Sequence, residues 1–493
     1  MPSRPNILVL MPDQHRADLL GCAGDPVIRT PNIDRLAAEG IRYDNVYCQG
    51  PLCMPARASF LTERYVRDHG VYENRWDVPE GMPTFLHSLR GSGYHTACIG
   101  KMHLWVHGRH RRGDARPDSR DLADKMIGYG FDEPIETVGK LASVAIGSEY
   151  ADHLATRGLL DTYRGWVAQR MYGRGVQTDQ ETLPNWATDS IPLPLEDYID
   201  YWHGDRVVRW IEEYDRDQPW FLWVGFPGPH DPWDAPAEYV DLYREAAMPM
   251  PGSVRRPDIP EEGPFNRFLS YWVWTHSDSA TLTDERIQEV RRYYYANVSL
   301  IDDAVGRIRA ALERTGQADD TWIIYTSDHG EMMGEHRMLM KMVFYEPSVK
   351  VPLIIRPPGG TAPQVVDDLV EHFDVPATAR AIAGAGGDDS FEGRALVGAD
   401  GQAVVPGRSA VYSENYGVGM VKTDRHKLVF HEDSLEPGQL FDLVDDPHED
   451  NNLIGDPAAK SLLDELHEGL VRPFLAGGRV KPGPGVFEQA GRP

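Results

Sequence analysis

Cysteine is scarce in this chain of 493 residues, which has four: Cys22, Cys48, Cys53 and Cys98. Four cysteines are too few for a disulfide framework in a chain of this length. The class of disulfide-stabilised secreted domains is therefore excluded, and a reducing compartment is the simpler expectation. Stability has to come from packing instead, and a hydrophobic content of 41% is enough for a buried core.

Long apolar runs are also absent. No stretch approaches the roughly 18 apolar residues that a membrane-spanning helix needs. The start of the chain, MPSRPNILVLMPDQ, has a short apolar run that stops at Pro12 and Asp13, with no small-residue cleavage site after it. This pattern is typical of a first core strand, so we expect a cytoplasmic protein with no membrane partner.

Basic residues are outnumbered, with 50 Lys and Arg against 76 Asp and Glu and a formal net charge of -26. Nucleic acids and anionic membranes bind proteins that present a basic face. The charge balance therefore argues against both as partners. A pocket for a small anionic substrate would need its positive charge concentrated locally.

The length of 493 residues exceeds the roughly 250 to 300 residues at which a single core stops growing. We therefore expect a large domain and a smaller one. Residues 1–386 alternate strand-like runs with helical stretches such as 33–39 and 286–315. This alternation predicts an α/β domain with a large, doubly wound, mostly parallel sheet flanked by helices.

The remaining segments have a different character. Residues 107–220 show little periodicity and are interpreted as insertions that shape a pocket. A small C-terminal α+β domain is predicted over 387–471. Its short antiparallel sheet would use residues 410–414, 419–423 and 427–431, followed by a helix over 457–470. The Pro/Gly-rich tail, 472–493, either wraps a neighbouring subunit of a homo-oligomer or is loose.

Four strand-length apolar runs each end at polar residues suited to anion or metal chemistry. Residues 6–11 precede Asp13 and Gln14, 95–100 precede Lys101 and His103, 221–226 precede His230, and 322–326 precede Asp328 and His329. In an open α/β sheet the ligand crevice lies just outside the carboxyl ends of the strands. These residues are therefore predicted to converge at one edge of the sheet.

One short motif singles out Cys53. The residues Cys53-Met54-Pro55-Ala56-Arg57 contain the Cys-x-Pro-x-Arg core that formylglycine-generating enzymes read when they convert a cysteine into an aldehyde. The structural alternative is an ordinary buried cysteine in front of a helix that begins at Pro55. The polar residues at the strand ends favour the first interpretation.

Longer blocks carry a family resemblance. In chain order they are PDQHRAD, TPNIDRLAAEGIRYDNVYCQGPLCMPARASFLT, GYHTACIGKMHL, FPGPHDPW, SDHGEMMGEH with Lys341 after it, VPLIIRPPG and FDLVDDPHEDNNL. With these blocks the chain resembles the type I sulfatases of the alkaline phosphatase superfamily, a group that also includes the phosphonate monoester hydrolases. Two positions depart from the family pattern. Glu63 stands where a glycine usually follows the cysteine helix, and the first metal pair is Asp13-Gln14 instead of two aspartates, as in members that resemble phosphonate hydrolases.

The resemblance implies covalent catalysis at Cys53. The hydrate of formylglycine (3-oxoalanine) is a geminal diol, in which one hydroxyl attacks sulfur or phosphorus. The other hydroxyl, once deprotonated, ejects the bound sulfate and restores the aldehyde. Such a route splits one difficult displacement into two easier steps. It also implies a formylglycine-generating enzyme as the partner that matures the chain.

The resemblance further implies one divalent metal ion. Its ligands would be Asp13, Gln14, Asp328, His329 and the modified Cys53. Ligation mainly by oxygen favours calcium, and the single imidazole leaves manganese as the alternative. Taken alone, Asp328-His329 could also be an ordinary turn at the end of a strand.

The same resemblance implies roles for three cationic side chains of the site. Arg57 lies one helical turn after Cys53, where its guanidinium is expected to fix the diol and hold the metal carboxylates. Lys101 and Lys341 resemble the pair that grips the non-bridging oxygens of the ester. Asn74 stands where the family often has another amide that contacts the anion.

Two histidines divide the proton transfers in this resemblance. His103 would be the base for sulfate elimination, and His230 would be the general acid at the leaving oxygen, since the pKa of imidazole lies near working pH. His69, His107 and Glu331 are expected to be structural or to support the site from outside.

The predicted activity is metal-dependent hydrolysis of sulfate monoesters, with a small anionic ester as substrate. A phosphonate monoester or phosphodiester hydrolase that uses the same aldehyde is the alternative, because Gln14 favours it while Lys101 and His103 favour a sulfatase. Activity toward both kinds of ester is also expected, because the nucleophile and the cationic side chains suit either a tetrahedral sulfur or a tetrahedral phosphorus centre. A third alternative is a non-catalytic ester-binding protein whose Cys53 is never converted. Fold-level analogy does not identify the leaving group.

Overall fold

The computed structural model describes residues 4–105, 117–170, 182–257, 281–398 and 400–476. Its centre is an eight-stranded sheet with the strand order β4-β3-β5-β1-β6-β7-β2-β8. The strands are β1 (Asn6–Asp13), β2 (Ile41–Tyr47), β3 (His95–Gly100), β4 (Glu133–Glu136), β5 (Trp220–Pro229), β6 (Thr321–Thr326), β7 (Leu353–Arg356) and β8 (Gln364–Glu371).

The sheet is mostly parallel. β1 pairs in parallel with β5 and β6, β3 with β4 and β5, and β2 with β8. β7 runs in the opposite direction, antiparallel to both β6 and β2. The predicted large, mostly parallel sheet is therefore confirmed, and the four predicted strand runs are β1, β3, β5 and β6.

Helices cover both faces of the sheet. They are α1 (Pro31–Ala38), α2 (Cys53–Thr62), α3 (Val66–His69), α4 (Phe85–Gly91), α5 (Ala123–Gly128), α6 (Glu149–Thr156), α7 (Leu160–Ala168), α8 (Ile199–Glu213), α9 (Ala237–Val240), α10 (Asp284–Arg314), α11 (Glu346–Val349), α12 (Asp374–Ala383), α13 (Lys460–Leu466) and α14 (Arg472–Ala476). The predicted helices over 33–39 and 286–315 correspond to α1 and α10.

Strand β1 shows why its sequence is continuously apolar. Successive side chains of a strand point to opposite faces. Ile7 and Val9 pack with Phe60 of α2 on one face, whereas Leu8 packs with Ile301 of α10 on the other. Because both faces are covered, every position of the strand needs an apolar residue.

The described part of the interval 107–220 contributes to this core, and its role in shaping a pocket stays a prediction. Its described part contains β4, at one edge of the sheet, and helices α5 to α8. Val207 and Ile211 of α8 pack in the same cluster as Val224 of β5. Residues 106–116 and 171–181, which include His107, lie outside the described residues.

A second, antiparallel sheet follows, as predicted, with four strands in place of the three expected. It has the order β12-β11-β10-β9 and consists of β9 (Val411–Asn415), β10 (Val418–Lys422), β11 (His426–His431) and β12 (Pro437–Asp442). Its residues Met420 and Val429 share a hydrophobic cluster with Met342 and Phe344. The small sheet therefore packs directly against the segment that carries Lys341.

The single helix predicted over 457–470 is wrong in detail. The structure has a 3-10 turn (Pro457–Ala459), α13, a π-helical turn (His467–Val471) and α14. In a π turn the backbone hydrogen bonds join residues five apart, here His467 and Arg472. The turn therefore brings Leu466 and Val471, which are both buried, onto one face against the small sheet.

The start of the predicted tail also belongs to the fold. Phe474 of α14 stacks on Tyr412, with ring centroids 4.1 Å apart, and meets Tyr65 edge-on. Residues 477–493 lie outside the described residues. Within the described ranges, we find no helix with the length and apolar character needed to cross a membrane.

Candidate active site

The polar residues at the ends of β1, β3, β5 and β6 meet at one edge of the large sheet, as their positions in the sequence predict. Asp13 is the last residue of β1, Lys101 directly follows β3, and His230 directly follows β5. The Lys101 ammonium lies 2.5 Å from Asp13 Oδ2, and His230 Nε2 lies 3.9 Å from Asp13 Oδ1. The structure thus brings residues from distant parts of the chain into one buried site.

Two glycines allow β3 and β5 to end so close together. Gly100 and Gly225 are register partners in the two strands. Gly100 has φ of +105°, and a Cβ added there would lie 2.2 Å from the carbonyl oxygen of Gly225. A Cβ on Gly225 would lie 2.0 Å from the carbonyl oxygen of Lys101. A side chain at either position would therefore displace the backbone that presents Lys101.

Cys53 is the first residue of α2, so the helix begins two residues earlier than Pro55. Its Sγ lies 3.3 Å from His329 Nε2, 3.7 Å from Lys101 Nζ and 3.8 Å from Asp13 Oδ1. In a converted residue, the oxygens of the aldehyde hydrate would stand in place of this sulfur.

The surroundings of Cys53 stabilise negative charge. Burial alone would raise the pKa of the Cys53 thiol, but Lys101, Lys341 and His329 hold it well below its ordinary value. The thiolate here stands in for any oxyanion at the same position. The site is therefore electrostatically suited to an ionised nucleophile at the start of a helix.

The ligand atoms of Asp13, Cys53, Asp328 and His329 all lie within 4.8 Å of one another. The ring of His329 contacts the carbonyl oxygen of Gly330 through Nδ1 at 2.9 Å, which leaves Nε2 facing the cluster. Two carboxylates with one imidazole fit a hard divalent ion. The donor set thus supports the predicted metal site.

Gln14 joins this cluster from the end of β1. Its backbone N–H donates to Asp328 Oδ1 at 3.0 Å, and its side-chain oxygen accepts a hydrogen bond from Lys341. The backbone of Gln14 is in the left-handed region, with φ of 71°. Its contact with Lys341 places the amide oxygen in the site, where a metal ligand is expected.

Arg57 bridges the two buried carboxylates. Its Nε donates to Asp328 Oδ2 at 2.8 Å and one terminal nitrogen to Asp13 Oδ2 at 3.2 Å. The other terminal nitrogen donates to the carbonyl oxygen of Lys101. Burial and the Cys53 thiolate oppose ionisation of Asp13, but Lys101, His230 and Arg57 outweigh them and lower its pKa.

Lys341 reaches the same site from the loop after β6. Its ammonium lies 2.7 Å from His230 Nε2. The ring of His230 is fixed by contacts of Nδ1 with the carbonyl oxygen and the carboxylate of Asp231, at 2.7 and 3.0 Å. Nε2 of His230 and the Lys341 ammonium therefore face the site as a pair that can carry a proton.

His103 lies against Cys53 from the β3 side. Burial lowers the pKa of His103, although its hydrogen bond with Cys53 acts in the opposite direction. A neutral imidazole beside the nucleophile is the form that a base requires. Its backbone N–H points to the carboxylate of Glu136, at 3.4 Å.

Asn74 and His69 support helix α2 from outside. The side-chain oxygen of Asn74 accepts the backbone N–H of Met54 at 2.9 Å, so it satisfies one of the free N–H groups at the helix start. Contact of Asn74 with an anion stays a prediction. His69 is buried, with Nε2 2.8 Å from the Ser59 hydroxyl, in keeping with the structural role expected for it.

Glu63 occupies the residue just after α2, with φ of 50°. This left-handed conformation explains why the family usually has glycine there. In this chain the carboxylate forms two hydrogen bonds with Arg380, at 2.5 and 2.6 Å. The departure from the family pattern is thus accompanied by a bidentate ion pair.

Sequence reasoning missed Glu136, at the end of β4. Its carboxylate accepts the backbone N–H of Met102 at 3.1 Å as well as that of His103. Burial raises the pKa of Glu136 to about 7, against the effect of these hydrogen bonds. The rule that polar residues follow buried strands would have found it, had the short segment EPIE been recognised as a strand.

Two protein-family models match this chain. The model of the family described as "Sulfatase" matches residues 5–385, and that described as "N-sulphoglucosamine sulphohydrolase, C-terminal" matches residues 334–473. The chain is 30% identical to the multifunctional alkaline phosphatase superfamily protein PehA of Trinickia caryophylli, over 94% of this chain and 93% of that protein. It is also 30% identical to the choline-sulfatase of Rhizobium meliloti strain 1021, over 92% and 83% of the two chains.

Among solved structures, the phosphonate monoester hydrolase of Agrobacterium radiobacter superposes with a TM-score of 0.77 and 25% identity, covering 96% of both chains. The mostly parallel sheet with a buried site at its strand ends is thus the arrangement of the alkaline phosphatase-like hydrolases. Within that class the family model spans most of the sequence. The chain belongs to the sulfatase family.

Proposed function

We propose that this protein hydrolyses sulfate monoesters and that residue 53 acts as formylglycine. The observation that carries the proposal is the position of Cys53. It lies at the start of a helix, within 3.3 to 3.8 Å of an imidazole, an ammonium and a carboxylate. A structural cysteine has no need of such an environment, whereas an ionised nucleophile does.

Two groups absent from the unmodified chain belong to the proposal. The hydrated aldehyde would supply a hydroxyl nucleophile and a second hydroxyl whose deprotonation releases sulfate. A divalent ion, with calcium favoured over manganese, would supply positive charge near the ester oxygens. Its proposed ligands are Asp13, Gln14, Asp328, His329 and the modified residue 53.

The side chains around these groups have separable tasks. Lys101 and Lys341 both act on the charge of Cys53 and can hold the non-bridging oxygens of the ester, where negative charge develops. Arg57 holds the carboxylates of Asp13 and Asp328 in place. All three cations are buried, which strengthens their interactions with an anion.

Proton transfers are assigned to the two histidines. His103, kept neutral by burial, takes a proton from the hydroxyl at position 53 when sulfate is released. His230, whose Nε2 lies 2.7 Å from the Lys341 ammonium, is assigned the delivery of a proton to the leaving oxygen. The contacts of His230 with Asp231 keep its Nε2 directed to the site.

Maturation by a formylglycine-generating enzyme is part of the proposal. Cys53 is only 1% exposed, so an enzyme cannot reach its sulfur in the folded protein. We therefore expect conversion to precede folding. The four cysteines are all free, which favours a cytoplasmic location.

Hydrolysis of phosphonate monoesters is the second candidate. Gln14 favours it, because an Asp-Gln first metal pair is the pattern of family members that resemble phosphonate hydrolases. The likeness to the phosphonate monoester hydrolases of Agrobacterium radiobacter and Silicibacter pomeroyi supports it as well. The nucleophile and the cationic groups described above would serve either ester.

The ratio of kcat/KM for an aryl sulfate to that for an aryl phosphonate monoester decides between the two candidates. It should be measured on converted, metal-loaded enzyme, with Cys53→Ala as control. A ratio well above one supports the sulfatase, and a ratio well below one supports the phosphonate hydrolase. A non-catalytic binding protein would bind both esters without hydrolysing either. In that case the mass of the peptide that carries Cys53 would show an unconverted thiol.

A further inference from the structure

A buried glutamate outside the proposed ligand set contacts three parts of the site at once. Glu331 is fully buried, two residues after His329. Its Oε1 accepts the backbone N–H of Met333 at 3.1 Å and of Met340 at 2.6 Å. Its Oε2 accepts a hydrogen bond from the side-chain nitrogen of Gln14.

This last contact determines which end of the Gln14 amide faces the site. A carboxylate accepts hydrogen bonds but does not donate them. Glu331 therefore binds the NH2 end of Gln14 and turns the oxygen toward Lys341, whose ammonium donates to it. The oxygen is also the end that a hard cation needs, because an amide nitrogen is not a ligand for such ions.

The hydrogen bond to Met340 extends the effect to Lys341. Met340 and Met342, on either side of Lys341, have φ of 72° and 81°. Residues other than glycine adopt this conformation at a cost, so the surrounding contacts have to maintain it. Glu331 supplies one of these contacts, and the carbonyl oxygen of Pro51 supplies another by accepting the N–H of Met342 at 3.0 Å.

We infer that Glu331 is a positioning residue that orients the Gln14 amide and fixes the Lys341 segment, so that Gln14 replaces an aspartate without losing its oxygen ligand. Glu331 touches neither the substrate nor the nucleophile in this account. The inference rests on the proposed metal site, because the orientation of the amide matters most when an ion is bound.

Exchanging the two side chains tests the inference. In Glu331→Gln, the new amide keeps its oxygen toward Met333 and Met340, and its NH2 then opposes the NH2 of Gln14. In Gln14→Glu, two carboxylates oppose each other. In the double variant, Gln14→Glu with Glu331→Gln, donor and acceptor are exchanged and the hydrogen bond is restored at the same total charge.

Calcium affinity by isothermal titration, kcat/KM and unfolding temperature should be measured for all four proteins. We expect Glu331→Gln to weaken calcium binding and kcat/KM by at least about 10-fold, as is usual for residues that orient metal ligands. Gln14→Glu places two carboxylates against each other, so we expect it to lower the unfolding temperature. We expect the double variant to recover most of these losses. Glu335→Gln is a matched control, because Glu335 lies in the same loop as Glu331 and accepts two backbone N–H groups, those of Gly252 and Ser253, without contacting Gln14. It should retain calcium affinity.

Several results would overturn the inference. Losses in the double variant that equal the product of the single losses would show that Glu331 does not act through Gln14. The same conclusion would follow if Glu331→Gln kept the calcium affinity and kcat/KM of wild type. It would also follow if the double variant failed to fold, since the exchange retains every hydrogen bond of the pair. If the wild-type protein bound neither calcium nor manganese, the metal site itself would be wrong, and recovery of the unfolding temperature in the double variant would still decide the pairing.

Discussion

The charge balance around Cys53 depends on Arg57. Asp13 and Asp328 are both fully buried, and Arg57 contacts both. Buried carboxylates without partners cost several kcal/mol, so the guanidinium is needed for folding as well as for catalysis. The planar guanidinium has donors fixed in two directions, so it holds both carboxylates in one geometry, which the flexible single ammonium of a lysine does not reproduce.

We expect Arg57→Lys to lower the free energy of unfolding by about 1–3 kcal/mol, because one carboxylate loses its charged donor. We also expect kcat/KM to fall at least about 10-fold. Urea unfolding and steady-state kinetics measure the two effects. Arg408→Lys is the control, since the ion pairs of Arg408 are with Glu371 and Asp374. It should lose similar stability while keeping kcat/KM, and equal kinetic losses in both variants would contradict the account.

For single residues, the sequence predicts which side chains belong to the site better than it predicts which atoms they contact. Asp13, Lys101 and Asp328 follow apolar runs of strand length, and that position alone predicts that they meet. The hydrogen bond of Asn74 to the start of α2 and the contact of Glu331 with Gln14 were not predicted. Both depend on side-chain directions that are set by the packed structure, and no spacing in the sequence encodes them.

Among the elements, α1 is held in place by a carboxylate from α10. Asp302 Oδ1 accepts the backbone N–H of Ile33 at 2.8 Å, and Oδ2 accepts that of Asn32 at 3.2 Å. These are free N–H groups in the first turn of α1. Burial raises the pKa of Asp302 to about 7, although these hydrogen bonds act against the shift.

This raised pKa gives a pH-dependent prediction. A carboxyl group whose pKa is raised by folding stabilises the protein most when it is protonated, and this contribution is lost as the pH rises through the folded-state value. Asp302→Asn cannot titrate. The difference in unfolding free energy between wild type and Asp302→Asn should therefore shrink between about pH 5 and about pH 8. Urea unfolding at both pH values measures it, and a difference that stays constant or grows would contradict the prediction.

The elements that were predicted are those with an unambiguous pattern. β1, β3, β5 and β6 are continuous apolar runs because both of their faces are covered. β8 was not assigned as a strand, since exposed positions interrupt its first five residues, which include two aspartates. β7 has four residues, which is too short to show a period. The π turn after α13 depends on packing against the small sheet and has no signal of its own.

The two sheets are joined by a buried charge network. Lys427 of β11 is fully buried, and its ammonium donates to the carbonyl oxygen of Phe344 at 2.9 Å. It also pairs with Glu346 and Glu449, each at 2.7 Å. Phe344 and Glu346 follow Lys341 closely in the chain. The small sheet therefore holds the segment that supplies one of the two lysines of the site.

We expect Lys427→Met to lower the free energy of unfolding by about 3–5 kcal/mol, since it leaves two carboxylates buried without their partner. We also expect kcat/KM to fall, because the Lys341 segment is less well held. Adding Glu346→Gln and Glu449→Gln to Lys427→Met removes the unpaired charges and should restore much of the stability. If the single variant were as stable and as active as wild type, the small sheet would not support the site in this way.

The central claim is that the protein hydrolyses sulfate esters through formylglycine at position 53. The most direct test varies the supply of the formylglycine-generating enzyme during expression. For each preparation, mass spectrometry gives the converted fraction of residue 53, and an aryl sulfate assay gives kcat/KM per total protein. The account predicts that kcat/KM rises in proportion to the converted fraction and is lost in Cys53→Ala. Full sulfate hydrolysis by protein that carries only cysteine at position 53 would contradict it.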